Sequence, residues 1–228
     1  MFALDHPTWA ALNGAQAGFA QWQGRVVRYQ SDVAPFLAIP PEPAEQAAMW
    51  DDLAALAGPG AVVVLTGVRA PLPDWEVAQW VPGVQMVGED IAAEEDPEAI
   101  RLTEADLPEM LDLVERTKPG PFLPRTIQLG SYLGIRRDGV LVAMAGERRR
   151  PPGCTEISAV CTDESVRGQG LATRLVRAVT AGIQARGETP FLAAAATNTN
   201  AIRLYETLGF RLRKRPNLTA LRVPATTR

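Results

Sequence analysis

The sequence predicts a mixed α/β fold whose second half is a sheet interleaved with helices. Three stretches carry that reading. Residues 156–172, EISAVCTDESVRGQGLA, run as strand, acidic loop, glycine-rich turn and helix start. Residues 191–197, FLAAAAT, are a second apolar strand that leads into another helical pattern. Residues 131–136 and 140–148 flank Arg137-Asp138-Gly139, a β-hairpin signal built on a D-G turn.

In chain order, the first 40 residues carry weak signals: a short helix around residues 7–19, then short strands at 25–29 and 35–39. Residues 43–57 read as a helix, with Pro43 suited to the first turn. Met49, Trp50, Leu53 and Leu56 recur at helical spacing, and Gly58 stops the run. Residues 61–66, AVVVLT, are the best strand of this half. Residues 74–80 are a short helix candidate and 84–87 another strand. All five tryptophans, Trp9, Trp22, Trp50, Trp75 and Trp80, lie here. They read as core residues before they read as the lining of a substrate pocket.

Residues 89–98, EDIAAEEDPE, hold six acids in ten positions and read as a solvated boundary loop. The expected division is therefore 1–95, a small α/β domain, and 96–228, the domain that carries the chemistry. A short strand at 101–103 opens the second domain. Thr103 then caps a helix over 104–116 with Leu107, Met110, Leu111 and Val114 as its buried stripe. Arg148-Arg149-Arg150 reads as a solvated turn before it reads as a receiver of an acidic substrate. In the helix after Gly170, Leu175, Val176, Val179 and Ile183 share a face, and Gly187 ends it.

Composition narrows the function. The chain has 228 residues, 46% hydrophobic and 21% charged, with net charge −3. This acidic balance draws neither nucleic acid nor an anionic membrane. Two cysteines make no disulfide framework, which implies a reducing, cytoplasmic setting. No apolar run reaches membrane-spanning length, and the start MFALDHPTW lacks the marks of a signal peptide. His6 is the only histidine, so a histidine triad or multi-histidine metal site is excluded by count, and no metal is expected.

Gly168 and Gly170 stand at the mouth of a helix. The first N–H groups of a helix lack internal partners and its dipole makes that end positive. Removing Cβ there opens those amides to a phosphate. The same residues also make a tight turn with glycines chosen for positive φ. Neither G-x-x-x-x-G-K-[ST] nor a full dinucleotide fingerprint is present, since Thr173 occupies the third glycine position.

Arg167-x-x-Gly170-x-Ala172 resembles the [QR]-x-x-G-x-[GA] acyl-CoA loop of the GCN5-related N-acetyltransferases (GNAT). Asn198-x-x-Ala201-Ile202-Arg203-Leu204-Tyr205-Glu206-x-Leu208-Gly209-Phe210 resembles that family's second signature. EISAVCT and the long N-terminal extension are most similar to its FR47-like, glycine-N-acyltransferase-related branch. The resemblance covers about residues 99–223, and residues 1–95 are then a degenerate half of the same kind or a separate α/β unit. It implies the GNAT fold for 96–228, acetyl-CoA as co-substrate, and direct acyl transfer to a primary amine of a small molecule or peptide. A monomer or homodimer is expected. A non-catalytic acyl-CoA-binding module is the alternative, and a nucleic-acid-modifying role a weaker one.

The resemblance also implies site roles. Coenzyme binding falls to Val160, Cys161, Thr162, Arg167, Gly168, Gln169, Gly170, Leu171, Ala172, Thr173 and Asn198. Strands carrying Val160 and Ala194 are expected to splay around the pantetheine arm. Tyr205 is the general acid for the leaving thiolate, although on residues alone it is a helix-face aromatic between Leu204 and Leu208. The base is open: Glu156 is the candidate, Glu147 and a water relay its rivals. The positions where relatives carry the acid fall at Ser158 or Ala193. A base matters because an alkyl amine of pKa near ~10 is about one part in a thousand free at neutral pH, a handicap of ~4 kcal/mol.

Overall fold

The computed structural model describes residues 2–42, 46–66 and 74–225. The chain begins with two short helices, α1 (Phe2–Asp5) and α2 (Pro7–Leu12), then a 3-10 turn at Ala17–Phe19. Strands β1 (Ala20–Gln23), β2 (Val26–Tyr29) and β3 (Leu37–Ala38) pair antiparallel in that order as a small sheet of their own. Next come α3 (Gln46–Ala57), β4 (Val62–Thr66), β5 (Glu76–Val87) and β6 (Ile100–Leu102). The remainder is α4 (Leu107–Thr117), β7 (Tyr132–Arg137), β8 (Val140–Glu147), β9 (Cys154–Thr162), α5 (Leu171–Ala185), β10 (Thr189–Ala195), α6 (Thr199–Thr207), β11 (Arg211–Lys214) and β12 (Asn217–Arg222).

Nine strands form the main sheet, ordered β4-β12-β5-β10-β9-β8-β7-β6, with β11 also pairing β5. Every neighbour pair is antiparallel except β9 with β10. Helices cover both faces. On one, Leu175, Val176, Val179 and Ile183 of α5, the stripe read from the sequence, are buried with Ile135, Ala143, Ala145 and Ile157. On the other, Met110 and Leu113 of α4 pack on Met144 and Cys161. The expected α4 stripe packs on this core, with Met110 buried and Leu107, Leu111 and Val114 partly covered, and Leu113 joins it as a buried residue the sequence reading did not include. A capping box between Thr103 and Asp106 starts a 3-10 turn, Glu104–Asp106, that feeds α4.

The first half departs from the sequence reading at β5. The helix expected at 74–80 is strand, continuous with the strand expected at 84–87. Local pattern lost to pairing: residues 76–82 of β5 lie against β12, and residues 83–87 lie against β10. Pro82 sits where the partner changes, and Gly83 N donates to Pro216 O at 2.8 Å. The chain on either side of residue 95 therefore shares one sheet. The core under α3 crosses that point too, joining Met49, Trp50, Leu53 and Trp75 to Leu221 and Val223. Pro43 lies outside the described residues.

The acidic stretch 89–98 is irregular, as expected, but it is strapped to α5 and the hairpin. Asp96 and Glu98 hold Arg174, Glu94 holds Arg177, and Glu98 also holds Arg137. Of the tryptophans, Trp50 and Trp75 pack with centroids 4.8 Å apart, while Trp9 meets Trp22 edge-on at 5.5 Å.

One buried ion cluster ties β8 to β9. Arg148 donates from Nε to Glu156 Oε2 and from Nη2 to Oε1, both at 3.0 Å. Arg149 donates from Nε to Oε2 at 2.7 Å and closes a second short contact from Nη2 to Oε1. Glu156 is 0% exposed, and both arginines are 8% exposed. The solvated turn expected at Arg148-Arg149 is thus a buried one; Arg150 faces Glu188. Gln16 completes the junction: its Nε2 donates to Arg148 O at 2.6 Å, and its Oε1 accepts from the Tyr29 hydroxyl. Burial alone would raise the Glu156 pKa, but the two guanidiniums outweigh it and hold the carboxyl far below its usual range. Its contribution to stability is therefore present above the unfolded carboxylate pKa of ~4.3 and is lost as pH falls below it. Glu156→Gln, which leaves two guanidiniums without their anion, should destabilise by about 3–5 kcal/mol. Thermal unfolding should show a fall of roughly 6–20 °C; an unchanged melting temperature would mean the cluster is not structural.

Candidate active site

The site is made by two strands that stop pairing. β9 and β10 run side by side at Cys154–Thr189, Thr155–Pro190 and Glu156–Phe191, and then separate. Past that point β9 stays with β8, where Ala143 meets Thr162, and β10 stays with β5, where Ala194 meets Val84. A bulge drives the parting. β9 carries an extra residue between the Gly146–Ser158 and Met144–Cys161 pairs, and Ala159 there adopts φ +52°. Bulges bend a strand, and a non-glycine residue at this φ costs roughly 1–2 kcal/mol. The small side chains Ala193–Ala195 leave the gap open.

The gap continues into a cavity of about 730 Å³, within the usual range for small-molecule sites. Of the residues singled out from the sequence, Val160, Cys161, Thr162, Arg167, Ala172, Asn198 and Tyr205 line it, as do Ser158 and Ala193. Gly168, Gln169, Gly170, Leu171 and Thr173 stand outside the lining, at the helix mouth next to Arg167 and Ala172. The Leu171 side chain is core, 2% exposed. None of the tryptophans lines the cavity.

The helix mouth suits an anion. Gly168 and Gly170 have φ of +80° and +74°, and no heavy atom lies within 4 Å of where a Cβ would sit on either. Gly170 is the N-cap of the 15-residue α5, so its first amides face open space with the positive end of the helix dipole behind them. The preceding loop is fixed by Asp163, which accepts from Ser165 N and Oγ and pairs with Arg116. Deeper in, Thr162 Oγ1 is buried with no hydrogen-bond partner. It is an orphan polar atom in a cavity wall, as a ligand contact requires.

Tyr205 is 8% exposed and packs edge-on to Phe210 at 5.9 Å. Burial pushes its pKa up to about 12, and no described residue accepts from its hydroxyl. Asn198 Oδ1 caps α6 by accepting from Ala201 N at 3.2 Å.

Glu156 does not fit the role of base. It does not line the cavity, its two oxygens are taken by two arginines, and a carboxylate held so far below its usual range has little basicity. Glu147 fares no better: it is 3% exposed, outside the lining, and paired with Arg186 at 3.0 Å. The only carboxylate among the described lining residues is Asp5, already bound to Arg213 and Lys214. Against it stand Lys118, Arg148, Arg149, Arg167 and Lys214. Sequence reasoning missed the wall built by Asp5, Thr8, Phe36, Gln85, Arg148 and Arg149. Contacts within it join residues as far as 141 apart in sequence, as in the Arg149–Thr8 contact, and no local pattern announces them. Among the described residues, no cluster of His, Cys, Asp and Glu could hold a metal ion, and no helix is long and apolar enough to cross a membrane.

With this geometry in view, comparison with known proteins is informative. The model of the FR47-like protein family matches residues 132–218, which span the hairpin, the parted strands and both helix mouths. No curated protein matches the chain. A solved structure from Novosphingobium aromaticivorans, assigned to the GNAT family of acetyltransferases, is 40% identical, with a TM-score of 0.87 over 96% of this chain and 97% of that one. A GCN5-related N-acetyltransferase from Kribbella flavida shares the fold at 21% identity, with a TM-score of 0.60 over 95% of this chain and 96% of that one. An acetyltransferase of the GNAT family from Colwellia psychrerythraea does so at 15% identity and a TM-score of 0.55, over 86% of this chain and 80% of that one. The identity and near-complete coverage of the first of these, together with the parted strands and glycine-mouthed helix, place this chain in the GNAT family of acetyltransferases.

Proposed function

We propose that this protein transfers an acetyl group from acetyl-CoA to a primary amine of a small molecule or peptide, by direct attack. The observation that carries the reading is Tyr205: a largely buried residue whose hydroxyl has no partner among the described residues, on the wall of a cavity that opens between parted strands and runs to a glycine-mouthed helix. The co-substrate supplies an activated acyl carbon on a thiol leaving group. Arg167 and the amides of residues 168–173 would hold its phosphates, and Val160, Thr162 and Asn198 its pantetheine arm. Tyr205 donates its proton to the departing sulfur.

Direct transfer is favoured because the cavity offers no good acyl carrier. Cys161 is 6% exposed, and burial raises its thiol pKa to about 11, which suppresses the thiolate. Ser158 has no histidine to activate it, since His6 is the only one in the chain.

The amine's proton leaves without a carboxylate base. An excess of cations around the cavity disfavours an ammonium and favours the free base, and water carries the proton away. The lack of a free carboxylate among the described lining residues is also what a non-catalytic acyl-CoA-binding module would present. Release of free thiol only when an amine is supplied separates the two readings.

Three outcomes test the proposal. Coenzyme A should raise the melting temperature, because a ligand bound only by the folded state stabilises it. Gly170→Val should remove that shift, and an unchanged shift would take the helix mouth out of the site. Tyr205→Phe should slow transfer roughly 10- to 1,000-fold with little change in coenzyme binding; wild-type turnover would make the tyrosine structural. Finally, with Tyr205 protonated up to about pH 12, kcat should rise with pH as the acceptor amine deprotonates and show no falling limb below about pH 10. A fall centred between about pH 8 and 9 would point to a different acid.

A further inference from the structure

The closed end of the cavity, where β9 and β10 still pair, carries more positive charge than its own ion pairs use. Arg148 and Arg149 share the single carboxylate of Glu156, which leaves one unmatched charge. Their neighbours do not supply it: Arg150 is matched by Glu188, and Glu147 by Arg186. A net charge at a largely buried site is costly unless something neutralises it.

The geometry shows where the counter-charge would sit. Both arginines line the cavity, whereas Glu156 lies behind them. Arg148 spends Nε and Nη2 on Glu156, and no described residue accepts from its Nη1. Arg149 Nη1 reaches Thr8 Oγ1 at 3.3 Å. The ring of Phe36 fixes the planes of both guanidiniums, with centroid distances of 4.7 and 5.0 Å. Held from behind by an ion pair and from one face by an aromatic ring, the pair is pre-organised, so binding an anion there requires little further ordering of side chains.

We propose that the acceptor bears a carboxylate near its amine, and that Arg148, with Arg149 beside it, recognises that carboxylate. This rests on the amine-acetylation reading above and narrows it to amino-acid-like acceptors. A monoanion matches the one residual charge at the pair, and a planar carboxylate matches a guanidinium edge. Seated there, the acceptor lies at the end of the gap where the strands meet, on the same cavity wall as Ser158 and within the lining that includes Tyr205.

The test compares amino acids of graded length, starting with glycine and β-alanine, against their carboxamides, with free thiol release from acetyl-CoA as the readout. The carboxylates should be preferred ~10- to 100-fold in kcat/KM, the strength of a hydrogen bond to a charged group. Arg148→Gln should erase most of that preference by raising the acceptor KM, with the KM for acetyl-CoA unchanged. Arg148→Lys, which keeps the charge beside Glu156, should retain some of it. Equal use of carboxamides by the wild type would overturn the proposal, as would an Arg148→Gln enzyme with the full preference. Melting-temperature shifts with the same probes, without acetyl-CoA, give a second readout. Should no amine be acetylated, the transfer reading fails, and the shifts alone decide the anion site. Stabilisation by carboxylates over carboxamides that Arg148→Lys partly keeps upholds the site; equal stabilisation, or none, rejects it.

Discussion

The parting of β9 from β10 is the constraint on which the rest of the structure depends. A parallel pair inside an otherwise antiparallel sheet is opened from one end, and each strand keeps a partner on its other side. That arrangement leaves backbone groups on the inner edges of both strands free for a ligand, without exposing a sheet edge to solvent along its whole length. The bulge at Ala159 provides the bend, and three successive alanines on β10 provide the width. At the closed end the ion cluster of Arg148, Arg149 and Glu156 joins the β8 and β9 backbones across their last pairs. Arg148 N donates to Glu156 O at 3.0 Å, and Glu156 N to Arg149 O at 2.8 Å. The opening is thus bounded by a clamp.

That clamp changes what Glu156 is for. A carboxylate on the strand before the loop invites a catalytic reading, yet its surroundings decide its chemistry. Two guanidiniums hold its charge and remove its basicity. What the cavity offers instead is an excess of cations, which favours the free amine, the negative charge that develops on the leaving sulfur, and the phosphates of the co-substrate. The same excess at the closed end motivates the carboxylate-bearing acceptor. One electrostatic feature therefore bears on three aspects of the proposed reaction.

Much of the second half was legible in the sequence. The hairpin, the strand–loop–helix at 156–172 and the apolar face of α5 depend on local pattern, and they form as read. Two signatures in order pointed to the family and to cavity residues as far apart as Val160 and Tyr205. The misreadings share one physical origin. β5 was divided into a helix and a strand because its pairing with β12 joins residues about 140 positions apart, as in Glu76 with Arg222. Arg148 and Arg149 looked like a solvated turn because their burial depends on Glu156, Phe36 and Thr8 together. In each case a long-range contact overrode a local preference.

The central claim is that the space between the parted strands and the helix mouth form one continuous co-substrate site. Hydrogen–deuterium exchange with and without coenzyme A tests it most directly, because it reads the backbone amides that the parting leaves free. Binding should slow exchange in two separate stretches at once, residues 158–162 of β9 and residues 168–173 at the start of α5, with β6 and β7, which do not line the cavity, unaffected. Protection confined to one stretch, or spread over elements outside the cavity, would contradict the claim.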